Sequence, residues 1–335
     1  MSIDITIVWA AIIFFGVMMY VVMDGFDLGI GMLYLFVPKR EDRDVMMNTV
    51  APVWDGNETW LVLGGAGLFA AFPRAYAVLL SALYLPLILM LLGLIFRGVA
   101  FEFRFKAPDV ERHIWDKAFF GGSFVAAFFQ GVTLGTYING IKLTNGEYTA
   151  GAFAWVAPFP LFAGLGVVIA YSLLGCCWLI WKTDESLQSR MRELAKKLSW
   201  LILFNISVIS IWTPLSNQEI AHRWFTMPNI LWLSPMPILV ALTMWKLSRA
   251  IEHKHELSPF IYSLCIIFLG YIGLGISVWP NIIPPDISIW QAAAPIESQR
   301  FALVGTVIII PIILIYTAWS YYVFRGKVRA EDGYH

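Results

Sequence analysis

Residues 5–36 read ITIVWAAIIFFGVMMYVVMDGFDLGIGMLYLF. This run is long enough to cross a bilayer, because about 20 apolar residues are sufficient for one helical span. Its charged side chains are Asp24 and Asp27, and their spacing of three residues places them on the same helix face. A charged group in hydrocarbon costs at least about 2.5–3.5 kcal/mol, so it generally lines a polar path or belongs to a buried pair. The stretch therefore predicts a membrane protein with polar chemistry inside its helices.

The composition of the whole chain agrees with this assignment. Hydrophobic residues make up 59% of the 335 residues and charged residues only 14%. Soluble domains carry roughly 25% charged residues, so the class indicated is an all-α, polytopic membrane protein. The formal net charge is zero, which argues against nucleic acid as a partner. The three cysteines lie in apolar runs without the spacing of a metal site, so we expect no bound metal.

Apolar stretches of sufficient length predict nine transmembrane helices, which form a single integral membrane domain covering residues 1–335. The predicted spans are 5–36, 51–72, 75–103, 115–139, 155–181, 195–213, 229–248, 258–279 and 301–324. The basic stretch 183–198 is expected to form a separate amphipathic helix at the inner surface. The prolines that fall inside spans are expected to kink them; they are Pro86, Pro235, Pro237 and Pro311.

Lysine and arginine residues indicate the orientation of the chain. Of the 23 such residues, 18 lie at the ends of spans or in loops on the side reached by the odd-numbered spans, four lie on the other side, and Arg97 lies well inside a span. The positive-inside rule therefore places the N-terminus outside and the C-terminus in the cytoplasm. On this orientation four carboxylates and one arginine inside the spans lie in the cytoplasmic half of the membrane; they are Asp24, Asp27, Asp55, Glu58 and Arg97.

A second polar cluster stands at the start of the second predicted span, where Asp55 and Glu58 are again three residues apart. Two interpretations of the four carboxylates stay open. In the first, they form a buried ion-pair cluster in which Arg97 neutralises one or two of them. In the second, the carboxyl groups that lack a positive partner are neutral or hydrated and pass protons inward from the cytoplasm.

The histidines lead to a prediction about cofactors. All five lie in loops or at span ends, whereas a membrane-embedded haem generally needs an axial His or Met within a span. They are His113, His222, His253, His255 and His335. The twelve methionines leave Met ligation open, but a Met in a helix is far more often a packing residue. We therefore expect this chain to bind no haem itself.

Six stretches of the chain carry a family resemblance, and together they extend from residue 24 to residue 327. They are DGFDLG (24–29), APVWDGNETW (51–60), GAGLFAAFP (65–73), FRGVAFE (96–102), IWQAA (289–293) and TAWSYYVFRGK (317–327). In these stretches the chain resembles subunit II of the bacterial cytochrome bd-type quinol oxidases. Within that family it is similar to the cyanide-insensitive branch.

The resemblance implies a heterodimeric oxidase of the bacterial inner membrane that oxidises quinol and reduces dioxygen to water. It implies that subunit I carries the haems, two of b type and one of d or b type. Subunit II would pair with subunit I through a similar nine-helix fold and help to conduct protons from the cytoplasm. A bound quinone or lipid and single-span accessory subunits also occur in the family, but the resemblance assigns no residues of this chain to them.

On this sequence the family's proton-path positions correspond to Asp55 and the neighbouring Trp54. Asp24 and Asp27 are further polar positions of the motifs and are expected to support the path, with Arg97 as the charge partner. Glu58 occupies a position where other branches of the family have Gln. A charge at that position is therefore not essential to the family's chemistry in general, and we expect Glu58 to have a supporting role.

Two other functions remain open at this point. A proton-coupled secondary transporter would also place carboxylates inside membrane spans. Transporters, however, generally contain inverted repeats and broken helices at mid-membrane, and the sequence shows neither. The other alternative is a purely structural subunit of an oxidase, in which the acidic residues serve packing alone.

Overall fold

The protein is built almost entirely of helices, and the computed structural model describes residues 4–329. In chain order the elements are α1 (Ile5–Leu33), α2 (Arg40–Asn48), α3 (Trp54–Ala71), α4 (Pro73–Arg104), α5 (Arg112–Asn139), β1 (Leu143–Thr144), β2 (Glu147–Tyr148), α6 (Pro158–Lys182), α7 (Glu185–Ser216), α8 (Gln218–Phe225), α9 (Asn229–Leu233), α10 (Pro235–Glu252), α11 (Ser258–Val278), β3 (Asn281–Ile283), β4 (Ile287–Ser288), α12 (Ile289–Ala292) and α13 (Ile296–Val323). The strands form two small antiparallel hairpins, β1–β2 and β3–β4. The helical membrane class predicted from the sequence is confirmed.

Eight helical segments among the described residues are long and apolar enough to cross a membrane. They are Ile5–Phe36, Pro73–Arg104, Arg112–Asn139, Pro158–Lys182, Glu185–Ser216, Asn229–Glu252, Ser258–Val278 and Ile296–Val323. The remaining prediction, 51–72, falls on α3, which is helical over 18 residues. Its first turns contain Asp55, Asn57 and Glu58, which lower its apolarity. By length and composition the described residues therefore contain eight candidate spans rather than nine.

The prediction of a separate amphipathic helix over 183–198 is wrong. This stretch is the beginning of α7, which runs without a break for 32 residues, or about 48 Å. Leu187, Met191 and Ala195 are buried at a spacing of four residues, so the apolar face of the basic stretch continues directly into the apolar part of the helix. A helix of this length extends beyond the hydrocarbon layer, which is about 30 Å thick.

The prolines inside the predicted spans have two different effects. Ser234 separates α9 from α10 within the predicted span 229–248, and Pro235 begins α10. A proline is favourable at the first position of a helix, because its missing N–H would have no intrahelical partner there. Pro86 and Pro311 instead lie inside α4 and α13, and both helices continue past them.

The C-terminal half of α1 lies at the centre of the protein. Every residue from Asp24 to Tyr34 is buried, whereas much of the N-terminal half of α1 is partly exposed. Phe26 stacks on Trp178 of α6, with 4.3 Å between the ring centroids, and both belong to the largest cluster of buried apolar side chains. The acidic motif of α1 is therefore carried by the most enclosed part of the fold.

α1 and α6 cross in close contact at two glycines, Gly29 and Gly175. A Cβ on Gly29 would overlap the carbonyl oxygen of Tyr171, and a Cβ on Gly175 would lie 2.7 Å from the backbone of Gly29. Small residues at a crossing let two membrane helices approach closely. The motif containing Asp24 is therefore held against α6 by backbone contact.

The Gly29→Ala substitution is expected to destabilise the protein by about 1–3 kcal/mol, because the added methyl group forces the two backbones apart. The measurement is the temperature at which the detergent-solubilised protein aggregates. Gly65→Ala on α3 is the matched control, since a Cβ at Gly65 meets nothing within 4 Å. Equal aggregation temperatures for the two variants would contradict the close crossing.

The segment after α13 is hydrogen-bonded to the last residue of α6 and to the loop just before α11. The Lys182 ammonium group donates a hydrogen bond to the carbonyl oxygen of Phe324 at 2.6 Å, and the Val328 amide donates to the carbonyl oxygen of Lys182 at 2.9 Å. Lys327 donates to Glu256 at 2.8 Å, and this bond lowers the pKa of the Glu256 carboxyl. These contacts fix the C-terminal end of α13, which contains Tyr321.

Candidate functional site

Arg97 of α4 is the centre of a buried ionic cluster formed by three helices. Its Nη1 atom lies 2.7 Å from Oδ1 of Asp24 on α1, and its Nη2 atom lies 3.0 Å from Oε2 of Glu58 on α3. Arg97 and Asp24 are fully enclosed, whereas the Glu58 side chain keeps 27% of its surface exposed. We refer to Asp24, Asp27, Glu58 and Arg97 as the Arg97 cluster. Charge-assisted bonds of this kind are shorter and stronger than hydrogen bonds between neutral groups.

Asp27 joins this cluster to α13 through two uncharged side chains. Its Oδ2 atom accepts a hydrogen bond from Nδ2 of Asn57 at 2.8 Å, and Oδ1 of Asn57 accepts one from the Tyr321 hydroxyl at 2.9 Å. Asp27 and Asn57 are both buried. Although Asn57 and Tyr321 lie inside motif stretches, sequence reasoning gave them no role, because neither is charged and their contact joins positions 264 residues apart.

Asp55 occupies a different position from the other carboxylates. It lies in the first turn of α3 with its side chain exposed, and the ion pairs that Arg97 forms with described residues go to Asp24 and Glu58 instead. A carboxylate at a helix N-terminus is favoured by the helix dipole. The structure therefore separates Asp55 on the surface of the chain from the buried part of the predicted site, and Glu58 lies between the two.

Trp54 contacts the Arg97 cluster, whereas the neighbouring Asp55 forms no ion pair with Arg97. Its ring stacks on Phe101 of α4 with 5.0 Å between the centroids and an angle of 5° between the planes. The guanidinium carbon of Arg97 lies 5.6 Å from the Trp54 centroid, which is within the range of a cation–π interaction. Trp54 therefore covers one side of the Arg97 cluster.

The Arg97 cluster contains more carboxyl groups than positive groups, and some of its polar atoms form no hydrogen bond within it. Three carboxyl groups face one guanidinium group. Oδ1 of Asp27 and Nε of Arg97 are buried without a hydrogen-bond partner among the described residues. Buried polar atoms in native proteins are nearly always paired with protein or water. This arrangement is chemically suited to holding water or a mobile proton.

A neutral hydrogen-bonded chain lies one helical turn before Asp24. The Tyr171 hydroxyl donates to Oε1 of Gln130 at 2.9 Å, and Nε2 of Gln130 donates to the Tyr20 hydroxyl at 2.6 Å. Tyr20 and Asp24 are four residues apart on α1 and therefore share a face. Sequence reasoning missed this chain, because single Tyr and Gln residues in apolar stretches form no recognisable pattern.

A second buried cluster surrounds Arg104, the last residue of α4. Its Nε atom lies 2.6 Å from Asp116 on α5, and its Nη1 atom lies 2.6 Å from Asp44 on α2. Arg43 pairs with the other oxygen of Asp116 at 2.9 Å. We call these four residues the inner cluster. Sequence reasoning counted Arg43 and Arg104 only as loop charges that indicate orientation, because their partners lie on other helices.

A metal site needs a group of donor side chains, and a membrane-embedded haem generally needs an axial His or Met. Residues 4–329 contain no group of three or more His, Cys, Asp and Glu side chains that could hold a metal ion. The histidines in that range are all exposed; they are His113, His222, His253 and His255. His335, which was also among the predicted loop histidines, lies outside the described residues.

Comparison with known proteins assigns the chain to a family. Residues 5–324 match the family model described as cytochrome bd terminal oxidase subunit II. The chain is 30% identical to cytochrome bd-I ubiquinol oxidase subunit 2 of Escherichia coli (strain K12), with 93% of this chain and 92% of that protein covered. It is 31% identical to a probable cytochrome oxidase subunit 2 of Haemophilus influenzae, with 97% and 95% covered.

The fold is also similar to a solved structure of the same kind. A chain of the bd oxidase from Geobacillus thermodenitrificans superposes with a TM-score of 0.80, covering 96% of this chain and 98% of that chain. The two sequences are only 16% identical, so this similarity concerns the fold alone. The family match confirms the resemblance seen in the motifs and replaces the transporter alternative. The chain belongs to the cytochrome bd terminal oxidase subunit II family and is a component of a quinol oxidase complex.

Proposed function

We propose that this chain provides the path by which protons from the cytoplasm reach the oxygen-reducing partner, subunit I. The observation that carries the proposal is the position of Glu58 between an exposed carboxylate and a buried one. Asp55 is exposed, Glu58 is 27% exposed and bonded to Arg97, and Arg97 is bonded to the buried Asp24. Ionisable groups therefore continue from the surface of α3 into the interior of the chain.

The chemistry of this path requires only proton transfer between carboxyl groups and water. Asp55 accepts a proton at the exposed face of α3, and its carboxyl releases the proton toward the Arg97 cluster, from which it reaches the partner subunit. Glu58, three residues along α3, shares the helix face of Asp55 and supports the transfer. The Arg97 guanidinium stays positive, so it fixes the orientation of Glu58 and Asp24. Asp27, held by Asn57, supplies a further buried carboxyl to the same cluster.

We assign the haems of the complex to subunit I. The described histidines are all exposed, and none lies inside one of the eight apolar spans at mid-membrane. On this assignment the present chain is the non-haem subunit, and the partner oxidises quinol and reduces dioxygen to water in a four-electron reaction. A bound quinone, bound lipid and single-span accessory subunits remain further proposed partners without assigned residues.

The path also depends on α3 being a ninth membrane span. α3 packs along α1 in the opposite direction, because Asn57 bonds Asp27 near one end and Gly67 contacts Ile13 and Trp9 near the other. The stretch of α1 between Trp9 and Asp27 measures about 27 Å, close to the hydrocarbon thickness of about 30 Å. With the N-terminus outside and the C-terminus in the cytoplasm of a bacterial inner membrane, Asp55 then faces the cytoplasmic half.

Cysteine labelling tests whether water reaches this face from the cytoplasm. Thr59→Cys places a thiol one turn beyond Asp55 on an exposed position, in a Cys265→Ser background that removes the exposed native cysteine. A charged, membrane-impermeant thiol reagent should modify this cysteine from the cytoplasmic side of vesicles that contain the assembled complex. Reaction requires a thiolate, which forms in water and not in lipid.

The matched control is Phe69→Cys, which is exposed on the same helix but far from the acidic motif. It is expected to react much more slowly from the cytoplasmic side. If Thr59→Cys stays unmodified from both sides, the face is dry and the proposed path is wrong. If it reacts only from the outer side, the orientation is reversed.

A further inference from the structure

α4 carries two buried arginines, Arg97 and Arg104, that belong to separate ionic clusters. They are seven residues apart, so they lie on the same face of the helix and about 10 Å apart along its axis. Arg97 forms ion pairs with Asp24 and Glu58, whereas Arg104 forms ion pairs with Asp44 and Asp116. Both guanidinium groups have no exposed surface. The same helix face therefore connects the proposed path with a second charged site.

The inner cluster is open to water on one side. The side chain of Asp44 is 33% exposed and that of Arg43 is 21% exposed, and both lie on the short helix α2. Nearby, Arg40 and Asp109 form an ion pair at the surface. Water and protons from this end of the molecule can therefore reach the inner cluster without passing Asp55.

Aromatic rings fill the space between the two clusters. Phe101 lies between the two arginines on α4 and stacks on Trp54, which contacts Arg97. The edge of Phe119 packs against Phe101 at 4.9 Å between centroids, and Tyr34 packs against Phe119 at 5.0 Å. The Tyr34 ring lies 5.2 Å from the Arg104 guanidinium carbon. We call Tyr34, Phe101 and Phe119, which are all buried, the aromatic layer.

The aromatic layer is tightly enclosed, which has a physical consequence for protons. Phe101 is 4% exposed, and Phe119 and Tyr34 have no exposed surface. Apolar constrictions exclude water, and a proton crosses such a region poorly because no hydrogen-bonded chain is present to carry it. The two clusters are therefore close in space, with buried aromatic rings between them.

We propose that the aromatic layer closes a second proton entrance, so that protons reach the Arg97 cluster only from the Asp55 face of α3. This inference rests on the proposed function, because it concerns which of two charged sites feeds the same path. It assigns a specificity-determining role to Phe101 and Phe119, which touch no reacting group. On this inference the inner cluster does not deliver protons to the path, although it is charged and partly exposed to water.

The test is a rescue experiment in the purified complex. Asp55→Asn is expected to slow oxygen reduction, and the added Phe101→Ala substitution should raise the slowed rate about fivefold or more, because it opens a hydrated route from the inner cluster. A further Asp44→Asn substitution should abolish the gain. Phe103→Ala is the matched control on the same helix, since Phe103 is 55% exposed and outside the layer.

The outcomes separate this inference from the proposed function. If Asp55→Asn leaves the oxidase rate unchanged, the proposed function itself fails. If Asp55→Asn slows the enzyme and Phe101→Ala gives no gain, or Phe103→Ala gives the same gain, the aromatic layer does not close an entrance. Phe101→Thr, which leaves a smaller gap and adds a hydroxyl group, serves as a second variant with the same expectation if the alanine variant does not assemble.

Discussion

Arg97→Met is expected to prevent assembly of the oxidase, or to lower its yield and melting temperature severely. Arg97 has no exposed surface and bonds both Asp24 and Glu58. Removing one partner of a buried ion pair costs about 3–5 kcal/mol, because the other charge is left in an apolar interior. Methionine has a similar length and an apolar character, so the loss of the positive charge is the dominant change.

Measurements of purified haem-containing complex per cell mass and of its melting temperature check this prediction. Arg74→Met is the control, because Arg74 is exposed at the beginning of the same helix. The double variant Asp24→Asn with Arg97→Met removes one charge of each sign and should recover part of the yield. If Arg97→Met assembles with an unchanged melting temperature, the Arg97 cluster is not a buried ion pair in the complex.

Asp55→Asn is expected to lower the rate of oxygen reduction by about 100-fold, the lower end of what positioned proton-transfer groups contribute. The amide has nearly the same shape as the carboxyl group but cannot accept and release a proton. Assembly should be unaffected, because Asp55 is exposed and forms no ion pair with Arg97. Loss of its interaction with the helix dipole costs only about 0.3–1 kcal/mol.

Oxygen consumption by the purified complex, normalised to haem content and measured over a range of pH, is the check on this prediction. Glu102→Gln is the matched control, because Glu102 is an exposed carboxylate on α4 that pairs only weakly with Lys106 at 3.6 Å. Normal haem content together with a normal rate at every pH would favour the alternative of a purely structural subunit, in which the acidic residues serve packing alone.

The sequence predicted those parts of the fold that depend on local patterns. Long apolar runs located eight spans, and the spacing of Asp24 and Asp27 predicted that they share a helix face; both are buried in α1. The count of nine spans depended on 51–72, where hydropathy is ambiguous because α3 begins with polar residues. Hydropathy does not reveal the continuity of α7, because a basic stretch followed by an apolar stretch resembles two elements although their buried faces are continuous.

The parts of the site that were missed depend on contacts between distant helices. Tyr321 reaches Asn57 across 264 residues of chain, and Gln130 reaches Tyr20 across 110 residues. Neutral side chains of this kind give no signal in a hydropathy profile, although they satisfy buried polar atoms. Arg104 looked like a loop charge because it ends α4, and only the packing of α2 and α5 around it makes it buried.

Proton uptake during a single turnover tests the central claim most directly. The fully reduced complex in vesicles is mixed rapidly with oxygen, while haem oxidation is followed by absorption and proton uptake by a pH-sensitive dye on the cytoplasmic side. With Asp55 in place, proton uptake should keep pace with the later steps of haem oxidation. With Asp55→Asn, the early oxidation steps that require no proton should be unchanged and proton uptake should be delayed. Proton uptake by the Asp55→Asn complex at the rate of the unsubstituted complex would contradict a proton path through this chain.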